Sequence, residues 1–435
     1  FLICISAAIR GYFQGLKNMY PTAISQFIEA FFKLAVGLGA VAVSKNLGAS
    51  PAVQAAFGVS GLTVGVFLGT VFMVAYKHIY DRRNRPKRPS RESEAWRVLA
   101  KRIALIALPV TITSSALYLA QFLDTLVINR ALMGSGVELQ TAEQLYSAYT
   151  TYAVPLADLL PSTLVYPIAI SILPTVSAAL AVKRYKKAKY YIFSSLRISG
   201  IIALPASLGL AVLARPAIAL IFGTGGVPIE TASGTVMPID VAAPALSLLS
   251  LGIFLISLLS TTNALLQACH RAYLPMISVS IGVVFLVIAE VGLVSIPAVG
   301  IYGAPLATLI CYGVALAFNV RFLAKTQRLK LEFFYLFAKP ACCAAFSAAG
   351  AHAVNLLLSA LFGNERRLTC AIILLVAVSA AVAIYIVTML AVKGIRENEV
   401  RLLPMGDRFA DYLIRKGYLE HHEQRSSRIS DQNTL

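Results

Sequence analysis

Charge is scarce in this sequence. Only 13% of its 435 residues are charged, roughly half the 25% of a soluble domain. Acid is scarcer still, with 20 Asp and Glu against 38 Lys and Arg. The six cysteines never fall in CxxC spacing and the five histidines are scattered, so neither a disulfide frame nor a zinc site is readable. A Walker lysine is missing too, since Gly223-Thr224-Gly225-Gly226 has the glycines without it. That excludes a P-loop ATPase. No residues assemble a catalytic set, and the outer loops are short for a membrane glycosyltransferase or ligase. The chain reads as a non-enzyme without cofactor or metal.

What abounds is apolar: 58% hydrophobic, with a mean hydropathy of +0.75. No water-soluble core needs so much. A membrane-crossing helix takes about 20 mostly apolar residues. Eleven runs qualify, at 1–16, 21–44, 51–76, 103–130, 144–181, 196–222, 239–268, 275–297, 301–323, 334–362 and 368–392. The run at 144–181 is too long for one crossing, so it should project from the bilayer or break at its prolines. The expected class is an all-α polytopic membrane protein.

The net charge of +18 would suggest nucleic acid in a soluble protein. Here the basic residues sit between apolar runs, which excludes that partner. Alternate connections carry Lys17, ten basic residues within 77–102, six within 183–197, Arg271, and then Arg321, Lys325, Arg328 and Lys330. The connections between them hold only Lys45, Arg130, Arg215 and the pair Arg366–Arg367. By the positive-inside rule the chain after Lys393 is cytoplasmic. Eleven crossings then put Phe1 outside, which predicts an odd number of helices before it in a longer protein. The neutral tail at 395–435 holds a candidate surface helix around Arg408–Leu419, with a solvated tail as the alternative.

Ionisable groups within the bilayer cost about 2.5–3.5 kcal/mol each on insertion scales, so each needs a partner or a wet cavity. Arg10, Gln14 and Lys17 share one helix face, as do Ser25, Glu29 and Lys33 on the next helix. Glu29 and Lys33 can neutralise one another, whereas Arg10 has no acid in its own helix and calls for a functional or inter-helix role. Tyr118, Gln121 and Asp124 occupy adjoining turns. Thr151, Asp158 and Ser162 share a face amid Pro155, Pro161, Pro167 and Pro174, a density tolerated where a helix lines a cavity. Between Asp124 and Asp158 two readings stand open: a cation or proton site, or a salt bridge to a basic residue elsewhere. Asp240 reads as a helix cap, Glu290 as a deep acid serving packing or function, and Arg215 and Lys339 as snorkelling to the interface.

Phe13-Gln14-Gly15-Leu16-Lys17-Asn18-Met19-Tyr20-Pro21 has an echo in Leu266-Gln267-Ala268-Cys269-His270-Arg271-Ala272-Tyr273-Leu274-Pro275. Internal repeats of this kind mark transporters. The string Arg10-Gly11-Tyr12-Phe13-Gln14-Gly15, followed by Pro21-Thr22-Ala23-Ile24-Ser25-Gln26-Phe27-Ile28-Glu29, closely resembles the stage V sporulation protein B-like branch of polysaccharide and lipid-linked oligosaccharide flippases. Further similar stretches are Asp124–Arg130, Leu160-Pro161, Ser171–Ser177, Leu204-Pro205 through Gly223, and Leu403-Pro404.

The resemblance implies a two-lobe, inverted-V transporter of fourteen helices, of which this chain would begin at the fourth. Residues 1–76 would then be the rest of the N-terminal lobe and 77–102 the cytoplasmic inter-lobe linker. The C-terminal lobe would be 103–324, with an additional helix pair at 334–394 and the tail at 395–435. It implies a flippase in the cytoplasmic membrane moving lipid-linked oligosaccharide or peptidoglycan precursors by alternating access, its partners being that substrate and membrane lipids. A cation-coupled multidrug exporter and a non-transporting sporulation or cell-wall assembly protein are the alternatives. Arg10, Gln14, Glu29, Lys33, Tyr118 and Gln121 would be cavity contacts. Asp124 and Asp158 would serve Na+ or H+ coupling or gating.

Overall fold

The structure, a computed structural model, describes residues 2–16, 18–84, 96–231, 234–327, 333–363, 367–392 and 394. Lys17, the middle of the basic linker at 85–95, Arg366 and the tail with its candidate surface helix lie outside the described residues. The chain divides into two compact units, Phe1–Ala95 and Trp96–Leu435.

The first unit holds α1 (Leu2–Gly15), α2 (Tyr20–Asn46) and α3 (Pro51–Arg83). Pro21 and Pro51 sit in the first turns of α2 and α3, where their missing N–H costs nothing. Helices α2 and α3 pack through glycine. A Cβ on Gly61 would lie 2.6 Å from the Gly37 backbone, and one on Gly65 would lie 2.6 Å from the Glu29 carbonyl oxygen. Gly61, Gly65 and Gly69 form one stripe, and without side chains there the two backbones approach as small-residue helix pairs do in lipid. Helix α1 is fixed to α3 by Phe13, fully buried with its ring edge-on to those of Tyr76 and Tyr80.

The second unit begins with α4 (Trp96–Gly134). The long 144–181 run follows as α5 (Leu139–Ala148), α6 (Val154–Leu160) and α7 (Tyr166–Ala181), joined by wide turns at Tyr149–Ala153 and Pro161–Val165. In each wide turn the bond skips a residue: Val154 N–H donates to the Tyr149 carbonyl and Tyr166 N–H to that of Pro161. The prolines are the cause. Pro155, Pro161 and Pro167 lack the N–H that an uninterrupted helix needs, and local widening absorbs the defect. The sequence expectation of a break at the prolines is met by widening rather than by a kinked loop.

Next come α8 (Tyr185–Val212), α9 (Ala214–Phe222), a short antiparallel hairpin of β1 (Ile229–Thr231) and β2 (Gly234–Val236), and α10 (Pro238–Ala268). The chain ends in α11 (Tyr273–Val294), α12 (Gly303–Gln327), α13 (Phe333–Phe362) and α14 (Arg367–Ala391). Helix α10 is the buried axis. Leu246, Ile253, Leu258, Leu259, Leu265 and Leu266 are almost wholly covered, with α7, α8, α9 and α12 packed around them. An apolar helix covered over most of its circumference has no marked amphipathic face, as its composition requires. Helix α13 packs on α8 and α14 on α9, within the same unit.

Among the described residues nine helices are long and apolar enough to cross a membrane. The sequence count of eleven adds α1, of 14 residues, and the interrupted α5–α7 run. One expectation is corrected. The basic stretch at 183–197, read as a loop, is mostly the start of α8, which buries Ala188, Ile192 and Leu196 between its lysines. Lys and Arg are good helix formers whose stems lie along apolar surface, so the helix continues through them. The connection between α9 and α10 carries the hairpin, whose Glu230 carbonyl accepts a bond of 3.0 Å from Thr141.

Candidate transport site

The polar residues of the first unit converge. Helix α1 presents Arg10 to α2, where its Nη2 meets Glu29 Oε2 at 2.9 Å and its Nε donates to Ser25 Oγ at 3.0 Å. Lys33 Nζ stands 3.5 Å from Glu29 Oε1, one turn along. The inter-helix partner that Arg10 needed is therefore Glu29, and Glu29 is shared between two cations. Gly65 and Gly69 of α3 back onto the same stretch of α2, so side-chain bulk is expelled from behind the cluster. Two positive groups and one negative leave a surplus positive charge. Gln14 is exposed on the face of α1.

In the second unit α4 and α11 pack together and bring Asp124 beside Glu290, with the two carboxylates within hydrogen-bonding reach. Glu290 is 1% exposed. Asp124 Oδ1 and Glu290 Oε2 are both buried with no protein donor. Hydroxyls lie around the pair: Thr125 and Tyr146 join at 2.9 Å, and Tyr149, on the first wide turn, is buried near Thr308 of α12. No basic residue occurs between Arg102 and Arg130, or between Arg271 and Arg321. Two carboxylates this close repel unless a proton or a cation lies between them. The orphaned oxygens suit either guest.

Asp158 lies apart from this pair. It is on α6, between the two wide turns, exposed on the same face as Thr151 and Ser162. Tyr166 is near Asp158, Tyr118 and Ser260. Tyr118 and Gln121 are exposed on α4. The shared site between Asp124 and Asp158 considered from the sequence is thus replaced by a partnership of Asp124 with Glu290. Position along the chain cannot show that α11 rather than α6 faces Asp124; the solitary acid in an apolar α11 was the available signal.

Other polar groups are structural. Asp240 does not cap α10: Met237 holds the cap position, and Asp240, in the first turn, pairs with Arg215 at 2.9 Å. The acid still meets the positive helix end. Lys339 Nζ donates to the Val392 carbonyl at 3.3 Å. A buried node that the sequence did not single out joins Asn319 of α12 to Thr262 and Asn263 of α10, at 3.1 and 2.6 Å. The sequence echo has a backbone counterpart: Asn18 N–H donates to the Phe13 carbonyl at 2.9 Å, and Arg271 N–H to that of Leu266 at 3.0 Å. Both are helix-ending bonds of the Schellman type, at corresponding positions of the echo.

Repeated hairpins, helices of bilayer length and charge enclosed between them define a multi-pass membrane transporter. The family model described as lipid II flippase MurJ matches residues 23–365. The chain belongs to the lipid II flippase MurJ family, a family of transporters and not of enzymes. It is similar to three proteins of Bacillus subtilis (strain 168). The uncharacterized membrane protein YabM is 28% identical over 94% of this chain and 73% of its own length. Stage V sporulation protein B is 23% identical over 93% and 73%, and lipid II flippase MurJ 22% identical over 73% and 57%. A solved structure, lipid II flippase MurJ in an inward closed conformation, shares the fold with a TM-score of 0.51. It is 15% identical, over 89% of this chain and 70% of that one.

Proposed function

We propose that the chain is a flippase of the cytoplasmic membrane, carrying a polyprenyl-pyrophosphate-linked glycan precursor by alternating access. Membership of a family described as lipid II flippases is the observation that carries this reading. The surplus positive charge of the Arg10, Glu29 and Lys33 cluster suits an anionic pyrophosphate. Arg10 is engaged by both Ser25 and Glu29, so Lys33, held more loosely at 3.5 Å, is the cation freer to turn to a ligand. Gln14 adds an amide on the open side. The Asp124–Glu290 pair is the coupling site, loading Na+ or a proton on one side of the cycle and releasing it on the other. Asp158 serves gating from the segment between the wide turns. The basic stretches at 77–102 and 183–197, with the tail, face the cytoplasm.

The test is reconstitution of the protein in liposomes carrying lipid II, followed by the appearance of its headgroup in the opposite leaflet. The expected result is translocation that depends on the protein and on an imposed Na+ or proton gradient. Export of drugs with no effect on the lipid would overturn the reading in favour of a multidrug exporter.

A further inference from the structure

Helices α2, α4, α7 and α10 end in the same pair of backbone bonds but do not share the residue at the turn. After α2, Gly48 N–H donates to the Lys45 carbonyl and Ala49 N–H to that of Ser44; after α4, Gly136 and Val137 do the same to Met133 and Leu132. The residue at the middle of such a turn takes a left-handed backbone, which glycine adopts freely, and Gly48 and Gly136 have φ of 71° and 93°. After α7 that place is held by Lys183 and after α10 by His270, with φ of 56° and 58°. Their bonds run from Lys183 and Arg184 to Leu180 and Ala179, and from His270 and Arg271 to Gln267 and Leu266. Among the described residues these are the only two besides glycine with a left-handed backbone. Each is followed by an arginine. Strain kept where glycine would relieve it points to a use for the side chain.

The two strained turns are neighbours within the second unit. Ser177, near the end of α7, donates to the Ala268 carbonyl at the end of α10 at 3.3 Å, and α7 packs along α10. Lys183, Arg184, His270 and Arg271 are all exposed. Exposed Tyr185 and Tyr273 open α8 and α11 beside them, and Arg271 Nη1 donates to the Tyr273 hydroxyl at 3.1 Å. The stretches that build these turns carry no acid, since the sequence has no Asp or Glu between Asp158 and Glu230, or between Asp240 and Glu290. Glu290 itself lies about 25 Å along α11 from Tyr273, at the other end of the helix. Helices α8, α10 and α11 are long and apolar enough to cross a membrane, so the turns between them meet its boundary with water, the level at which tyrosine rings settle. Cations at that level face the phosphates of lipid headgroups.

We propose that the α7–α8 and α10–α11 turns together bind the phosphate of an anionic phospholipid, held by Lys183 and Arg184 from one turn and by His270 and Arg271 from the other. The site lies wholly within the second unit and does not depend on what the protein carries, so its failure leaves the flippase reading standing.

The experiment titrates the full chain, in a neutral detergent, with phosphatidylglycerol or with phosphatidylcholine and reads the melting temperature at each lipid concentration. Phosphatidylglycerol is expected to raise it, and phosphatidylcholine, whose headgroup has no net charge, to leave it unchanged. Lys183→Gly relieves a strained turn and removes a cation. It is expected to melt about 1 °C higher without lipid, yet to need about fivefold more phosphatidylglycerol for the half-maximal rise. The double variant Arg184→Gln with Arg271→Gln leaves both turns as they are. It is expected to keep the native melting temperature without lipid and to need about 25-fold more phosphatidylglycerol, two cations being gone. Equal stabilisation by the two lipids overturns the proposal, and so does a phosphatidylglycerol response that survives in the double variant. A loss as large in Arg130→Gln, at an exposed cation outside both turns, reduces the effect to general charge attraction and overturns it too. Inorganic phosphate that stabilises the chain as well as phosphatidylglycerol does would assign the turns to a soluble anion and overturn the choice of a lipid.

Discussion

Asp124 and Glu290 are the two side chains whose surroundings most constrain what they can do. Glu290 is buried and Asp124 half-buried, each has a buried oxygen without a donor among the described residues, and the two carboxylates are close enough to interact. Removing one carboxylate relieves the repulsion and leaves a hydrogen bond from amide to carboxylate in its place. Asp124→Asn and Glu290→Gln are therefore expected to keep or raise thermal stability. Gradient-driven translocation should fall at least about tenfold in either variant, the loss expected when one charged contact goes. Comparing lipid flipping with and without an imposed Na+ or proton gradient, beside a melting curve, checks both halves. A variant that keeps its gradient dependence would remove the pair from the coupling role. Arg10 illustrates what was legible at this scale. That it needed an acid outside its own helix followed from the cost of a lone charge in lipid, while the identity of that acid required the packing of α1 on α2. Asp124 shows the limit, since the sequence offered Asp158 as a neighbour and folding supplied Glu290.

At the scale of elements, helices were readable because nearly every one is a long apolar run, and their ends because Pro and Schellman turns punctuate them. Two features escaped. The hairpin β1–β2 is too short to leave a pattern, and the basic entry of α8 looked like a loop because charge, in a membrane chain, is the usual mark of one. The packing of α2 on α3 was also invisible, although its cause lies in plain glycines. Gly65 touches the Glu29 backbone so closely that even a methyl group has no room. Gly65→Leu is expected to force the pair apart at a cost of about 1–3 kcal/mol, typical of overpacking, and to loosen the Arg10–Glu29 contact carried on α2. A lower melting temperature of the purified protein is the readout. Substitution of Gly11, with open space at its Cβ position, should cost far less, and equal effects at both sites would discredit the close-packed account.

For the molecule as a whole, the proposed orientation rests on loop charge, and it can be checked without any transport assay. A reporter fluorescent only in the cytoplasm should be bright when fused after Leu435 or inserted near Pro89, and dark when inserted in the loop near Gly225. The opposite pattern would invert the topology. A larger consequence lies in α10. It is apolar enough to enter a bilayer by itself, yet in the finished protein Ser250, Ser257, Thr261 and Thr262 are fully covered on it. Helices α11 and α12 are made after it, so the hydroxyls that those two helices will cover face fatty acyl chains while the ribosome is still working, whereas Thr261 can already meet Ser199 of α8. Their bonds to the Leu246, Ser257 and Leu259 carbonyls of the same helix let Ser250, Thr261 and Thr262 wait there at little cost. The helix at the heart of the second unit is thus equipped for two solvents in succession: lipid during synthesis, and protein ever after.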